Sequence, residues 1–329
     1  MRGNKLLKAL ALRPGYFTPT LLQSHAHFCD TLLMETTRRE LEQDIQIREA
    51  ALYEEWKRTG PHLEEYASEF AGTAFLLVCV VGAVVLTFSP SSPMLHWLPS
   101  LSLRLALIGL LLGAASWIVA LSPPGRLSGA HLDPAVSAGF WLLGKMHRRD
   151  LLGYIAGQMA GAVAGVFLGG FLFGKLARSV QMGSLHPGPH VSFLDTVLGE
   201  LAATFVLTLA IYTSVSFPKV MRWTPGIALV LLTFLIGIDG SYSGAGMNPA
   251  RWFGPALAAS AWQDAAAYAF APIAAALAAA GLRRLLLRHQ PPTHTAKLFH
   301  DPRYRSLFRN DGAPTQAPAH IRAQARQRE

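Results

Sequence analysis

Long stretches without formal charge constrain this chain more than any other feature. Residues 70–103 contain no Asp, Glu, Lys or Arg, and the same holds for 105–121, 151–173, 201–217, 224–238 and 265–282. A helix that crosses a bilayer needs about 20 mostly apolar residues, within a range of about 17–25. All but one of these windows reach that length as they stand. The exception, 224–238, is strongly apolar from Ile227 onward, and Trp223 just before it suits a membrane interface. The pattern predicts six spanning helices at about 68–89, 103–121, 151–173, 194–217, 223–240 and 264–287. Burying six such helices inside a soluble protein would demand a very large core for a chain of 329 residues. Composition points the same way. Hydrophobic residues make up 51% and charged residues 15%, where soluble domains carry about 25% charged. A disordered chain is excluded, because it needs low hydrophobicity. Cys29 and Cys79 are too few for a disulfide framework.

The net charge is +9, and its distribution decides what it means. With both termini on the cytoplasmic side, 25 of the 29 Lys and Arg residues lie in cytoplasmic segments. Arg104, Lys175, Arg178 and Arg251 are the four on the other side. That asymmetry fixes a multi-pass orientation in a cell membrane and accounts for the basic balance without nucleic acid. Basic tails beside spanning helices also favour anionic lipid. The N-terminus lacks the apolar stretch and small-residue cleavage site of a signal peptide. Residues 1–66 read as a cytoplasmic extension. Thr37-Arg-Arg-Glu40 has the form of a capping box, and Leu41, Ile45, Leu52 and Trp56 share one face of an amphipathic helix that Gly60-Pro61 would stop. Residues 289–329 read as a basic, disordered cytoplasmic tail.

The stretch between the tails is built twice, over 67–175 and 193–288. Ser128-Gly-Ala-His131-Leu-Asp133-Pro134-Ala135 is echoed by Ser243-Gly-Ala245-Gly-Met-Asn248-Pro249-Ala250. Glu69-Phe-Ala-Gly-Thr is echoed by Glu200-Leu-Ala-Ala-Thr, and Tyr154 to Gln158 by Tyr268 to Pro272. Three spans per half place the halves in opposite orientations, the inverted repeat of many transport proteins. An apolar stretch too short to span follows each motif, Val136–Gly144 and Trp252–Trp262. Asp or Asn followed by Pro is a helix start. Each motif therefore opens a re-entrant half-helix, and irregular backbone at that depth must be buried or line a watery cavity. The expected fold is an all-α membrane protein of six transmembrane helices and two re-entrant half-helices.

With these residues in view, the sequence resembles the aquaporin family of major intrinsic proteins over about residues 66–288. The duplicated boxes, Arg251 directly after the second and a membrane carboxylate in the first helix of each half carry the resemblance. It implies a pore in each protomer of a homotetramer, passive flow of water or small neutral solutes, and no cofactor. It implies that Asn248 and Arg251 present donors to passing solute, and that Glu69, Glu200 and Gln158 hold the re-entrant loops. His131 occupies a position where the family usually has histidine, as lining or loop scaffold.

Two departures qualify the resemblance. The first box reads Asp133-Pro134-Ala135 in place of Asn-Pro-Ala, and an ionised carboxylate caps a helix but donates nothing. The filter also lacks the aromatic and histidine of a water-selective member. Its second-helix position falls at Leu112 or Gly113, and its fifth-helix position at Ile236, or at Phe234 if the loop carries an insertion. Ala245 lies beside Arg251. The filter is expected to be wide and apolar. Glycerol facilitators usually carry Asp after the filter arginine and a basic residue after the next proline. Here Trp252 and, after Pro255, Ala256 stand there. Three outcomes are compatible with these residues: a water or neutral-solute channel, an ion- or proton-leaky channel made by Asp133, and a scaffold of little pore activity. His186 and His190 lack the companions of a metal site, and nothing is placed for bond chemistry.

Overall fold

The computed structural model describes residues 61–286, 295–304 and 306–307. The expected amphipathic helix of the N-terminal extension lies outside the described residues. Six long apolar helices cross the fold: α1 (Leu63–Phe88), α2 (Leu101–Leu121), α4 (Arg148–Phe173), α5 (Phe193–Ser214), α6 (Thr224–Asp239) and α8 (Ala265–Leu286). Between them lie two half-helices, α3 (Pro134–Leu142) and α7 (Pro249–Ala259). No strand occurs among the described residues. The sixteen residues of α6 are too few to span alone, and a 3-10 turn at Met221–Trp223 extends them.

Two helices begin three or more residues ahead of their expected spans. α1 starts at Leu63 and α4 at Arg148 because their polar ends satisfy one another. Tyr66 donates its hydroxyl to Asp150 at 2.5 Å, and His62 Nδ1 lies 2.8 Å from the same carboxylate. A charged first turn is thus no barrier to helix formation where a partner helix supplies the other half of a pair.

Packing repeats the sequence duplication. α1 lies along α4, and α5 lies along α8. Half-helix α3 rests on α8 and half-helix α7 on α4, so each is supported by the opposite half. α2 and α6 meet along the seam between the halves. Small residues allow these approaches, as expected where lipid removes the hydrophobic drive between helices. A Cβ at Gly161 would stand 2.3 Å from the Phe70 carbonyl oxygen, and one at Gly109 2.4 Å from that of Leu232. The outward faces keep large apolar side chains such as Phe171, Ile118 and Phe270 exposed, as a surface solvated by lipid requires.

Residues 295–304 belong to the stretch expected as a disordered tail. They pack against the channel body, with Thr295, Ala296 and Lys297 buried. Their hydrogen bonds to the α2–α3 connection explain the difference, and no periodic signal in the tail announces them.

Candidate functional site

The two repeated motifs adopt one backbone conformation. Gly129 and Gly244 both have φ of 97°, Ala130 and Ala245 have 55° and 49°, and Leu132 and Met247 have 56° and 54°. Left-handed residues in this number bend the chain sharply into the membrane before each half-helix. For residues other than glycine that conformation is strained and persists only where the surroundings impose it. Two buried carboxylates impose it. Glu69 accepts from the Ser128 hydroxyl at 2.7 Å, from the backbone N–H groups of His131 and Leu132 at 3.1 and 2.7 Å, and from Gln158 Nε2 at 2.8 Å. Glu200 accepts from the N–H groups of Gly246 and Met247 at 2.6 and 2.7 Å. The Ser243 hydroxyl lies between Glu200 and Asp239, at 3.1 and 2.6 Å. Tyr154 and Tyr268 complete each loop by donating to the carbonyls of Ser128 and Ser243.

Asp133 and Asn248 then cap the half-helices. Asp133 accepts from Ala135 N–H at 2.7 Å, and Asn248 Oδ1 accepts from the N–H groups of Ala250 and Arg251 at 2.9 and 3.2 Å. Pro134 and Pro249 occupy the first helical turns beside the buried Ala135 and Ala250. The two motifs touch. Asn248 Nδ2 donates to the Leu132 carbonyl at 2.8 Å, across the two halves. Two helix N-termini with their partial positive charge therefore converge on one place.

A cavity runs past this junction. Asp133, Asn248 and Arg251 are its charged and amide-bearing lining, together with His131, while Leu76, Leu112, Leu207, Ile211, Leu232, Ile236 and Ala245 supply most of the rest. Arg251 also faces a wider vestibule lined by Ile108, Gly183, Ser184 and His186. Its Nη1 donates to the Gly183 carbonyl at 3.1 Å, and only 8% of the residue is exposed. The guanidinium is thereby fixed at the boundary between cavity and vestibule.

The family model described as Major intrinsic protein matches residues 55–282 of this chain. The chain belongs to that family. A probable aquaporin AqpM of Archaeoglobus fulgidus is 34% identical over 174 residues, covering 50% of this chain and 70% of the relative. Aquaporin AqpM of Methanothermobacter thermautotrophicus is 28% identical over 232 residues, or 65% of this chain and 93% of the relative. The fold is shared with the crystal structure of an aquaglyceroporin from Plasmodium falciparum, at a TM-score of 0.53 and 20% identity over 68% of this chain and 96% of that one. This member of the family is a multi-pass membrane protein. The family's members are channels rather than enzymes.

Against the family pattern, some expected positions come together and others do not. Asp133, Leu112, Ile236, Ala245, Asn248, Arg251 and His131 share the cavity. Gly113 does not. A Cβ there would stand 2.6 Å from the Leu229 Cα, so Gly113 is the contact of α2 with α6, and its neighbour Leu112 faces inward. Phe234 is 62% exposed on the outer surface, about 200° around α6 from the inward stripe of Ala228, Leu232 and Ile236. Trp252 is buried away from the cavity, stacked on Tyr268 with ring centroids 6.4 Å apart. Residues that escaped the sequence include Leu76, Leu207, Ile211 and Leu232 in the cavity wall, the Gly183 carbonyl that holds Arg251, Ile108 in the vestibule wall, and Leu298, which lines the cavity from the C-terminal segment. Ile108 and Leu232 carried a usable signal, each one helical turn from an expected position, Leu112 and Ile236.

Proposed function

We propose that the chain is a passive channel for water and small uncharged solutes such as glycerol, urea or ammonia. One observation carries this reading: two half-helix N-termini, bridged by Asn248 and Leu132, border an otherwise apolar cavity that Arg251 overlooks. Apolar walls bind a passing molecule weakly and let it leave. The few polar groups replace part of its hydration. The convergent dipoles and the fixed guanidinium raise the energy of a cation or proton there. Arg251 offers its remaining N–H groups to the solute oxygen. Leu112, Ile236 and Ala245 replace aromatic and imidazole filter groups by smaller or apolar ones, which widens the range of neutral solutes. Asp133 acts as a helix cap, and Glu69, Glu200, Gln158 and His131 hold the loops. Pro134, Ala135, Pro249 and Ala250 set the half-helix starts.

The channel domain extends over 67–288, in a cell membrane with both termini cytoplasmic, as the positive-inside asymmetry supports. Broad exposed apolar faces suit four protomers side by side in lipid, and no nucleic acid or cofactor enters the reading. The test is stopped-flow light scattering of proteoliposomes challenged with water, glycerol, urea and ammonia gradients. Both the full chain and a chain ending at residue 294 are reconstituted. Permeation faster than protein-free vesicles without ionic conductance is expected, with Ile236→Trp slowing it and Arg251→Ala raising glycerol flux. Vesicles of both chains indistinguishable from protein-free ones would refute the reading.

A further inference from the structure

The C-terminal segment 295–304 contributes to the cavity although six spans and two half-helices already complete the fold. Leu298 lines the cavity with Leu132 and Asp133 and is 6% exposed. Its backbone N–H donates to the Gly129 carbonyl at 3.0 Å, and His131 Nε2 lies 2.6 Å from the Ala296 carbonyl. Gly129 and His131 belong to the motif that leads into α3. The segment therefore sits on the re-entrant loop itself, at the cavity's end opposite Arg251.

Side chains outside the lumen hold the segment there. Lys297 Nζ donates to the Arg126 carbonyl at 2.7 Å, and Arg126 Nη1 reaches Asp301 at 2.9 Å. The Arg126 guanidinium also covers the Phe299 ring at 5.5 Å. Asp301 accepts in addition from Arg303, whose hydrogen bonds hold its carboxyl down to about 2. Leu298 faces the cavity, while the Phe299 ring lies against the Arg126 guanidinium. An apolar side chain at a narrow mouth excludes water from it. No helix seam anchors the segment. Beyond the burial of Ala296 and Leu298, it is tied by a few hydrogen bonds and the ion pairs of Asp301, contacts of a short segment that can open locally without unfolding the rest.

We propose that residues 295–304 are an autoinhibitory plug, with Leu298 closing the pore mouth beside His131 and the Arg126–Asp301 pair latching it. Release of the segment opens the channel. The inference rests on the channel reading above, so it is tested by flux and by a second measurement that needs no flux. Two conformers of this kind commonly differ so that the minor one is populated at about 10% or less, which predicts a gain of about tenfold or more when the plug is removed. Stopped-flow water permeability per protein is compared for the full chain and the chain ending at residue 294. A large gain on truncation is expected, and equal permeability of two conducting chains overturns the plug. In parallel, Leu298→Cys is made in a chain with Cys29 and Cys79 changed to Ser and is labelled with a bulky maleimide in nanodiscs open to both faces. Slow labelling that Asp301→Ala accelerates is expected. Labelling as fast as in the unfolded chain overturns the plug whether or not either chain conducts.

Discussion

Replacing Glu69 by Gln tests the loop-holding geometry directly. The carboxylate is fully buried and uses both oxygens. One oxygen accepts from Ser128 and His131, the other from Leu132 and Gln158. In Glu69→Gln, either placement of the amide takes the acceptor away from two donors, Ser128 and His131 or Leu132 and Gln158. At Glu200 the oxygens are loaded unequally, because Oε2 accepts only from Met247 N–H. Glu200→Gln can therefore put its amide at Oε2 and lose one bond. Hydrogen bonds to charged groups contribute about 1.5–3 kcal/mol each. Glu69→Gln should then cost about 1.5–3 kcal/mol more than Glu200→Gln. Relief of carboxylate desolvation acts in both variants and largely cancels in the difference. For a body of this size 1 kcal/mol corresponds to about 2–4 °C, so the melting midpoint of Glu69→Gln should lie at least ~3 °C below that of Glu200→Gln. Tryptophan fluorescence of the purified protein in detergent reads it. Equal midpoints, or a lower one for Glu200→Gln, would refute the unequal sharing of donors.

Further outcomes follow from other contacts. Asp133→Asn keeps an oxygen to cap Ala135 and should leave the melting midpoint within a degree or so, whereas Asp133→Ala should lose about 0.5–2 kcal/mol; thermal melts of the two variants separate them. Gly161→Leu should abolish folded protein, because its Cβ meets the Phe70 carbonyl at 2.3 Å; size-exclusion chromatography of the membrane extract would show loss of the native peak. Burial, and then the charge of Lys297, hold the His300 imidazole below its ordinary value, and neither ring nitrogen has a hydrogen-bond partner among the described residues. Docking is therefore at full strength above about pH 6.5 and weakens below it, as the free segment takes up the proton more readily. Asp301, paired with Arg126 and Arg303, stays ionised throughout that range. Labelling of Leu298→Cys, normalised to the unfolded chain, should be faster at pH 5.5 than at 7.5, and His300→Leu should flatten the difference.

Much of the fold was legible because a bilayer leaves few ways to satisfy a backbone. A charge-free window long enough to span reads as a helix, and five such windows, a shorter sixth and two Pro-capped stretches define the architecture. The duplicated motif gave the half-helix starts to the residue, since Asp-Pro and Asn-Pro are local signals. The ends of α1 and α4 were not legible, because their extension depends on the Asp150 pairing between helices. Spacing left Leu112 or Gly113, and Ile236 or Phe234, as alternatives, and in the structure Leu112 and Ile236 are the ones that line the cavity. A shift of one residue on a helix turns a side chain by about 100°, and only the neighbouring helix tells which residue faces in.

The sequence by itself determined the spans, their inverted duplication and the two capped half-helices. These follow from local chemistry, desolvation of charge and helix capping, whereas the loop-holding role of the two glutamates came only from the family resemblance. Only the tertiary structure decided which face of each helix borders the cavity, that the Gly183 carbonyl fixes Arg251, and that Leu298 lines the cavity. Those facts join residues far apart in the chain, Arg251 with Gly183 and Leu298 with Gly129. Neither composition nor periodicity carries information about such a meeting, because it arises only when separately formed helices pack.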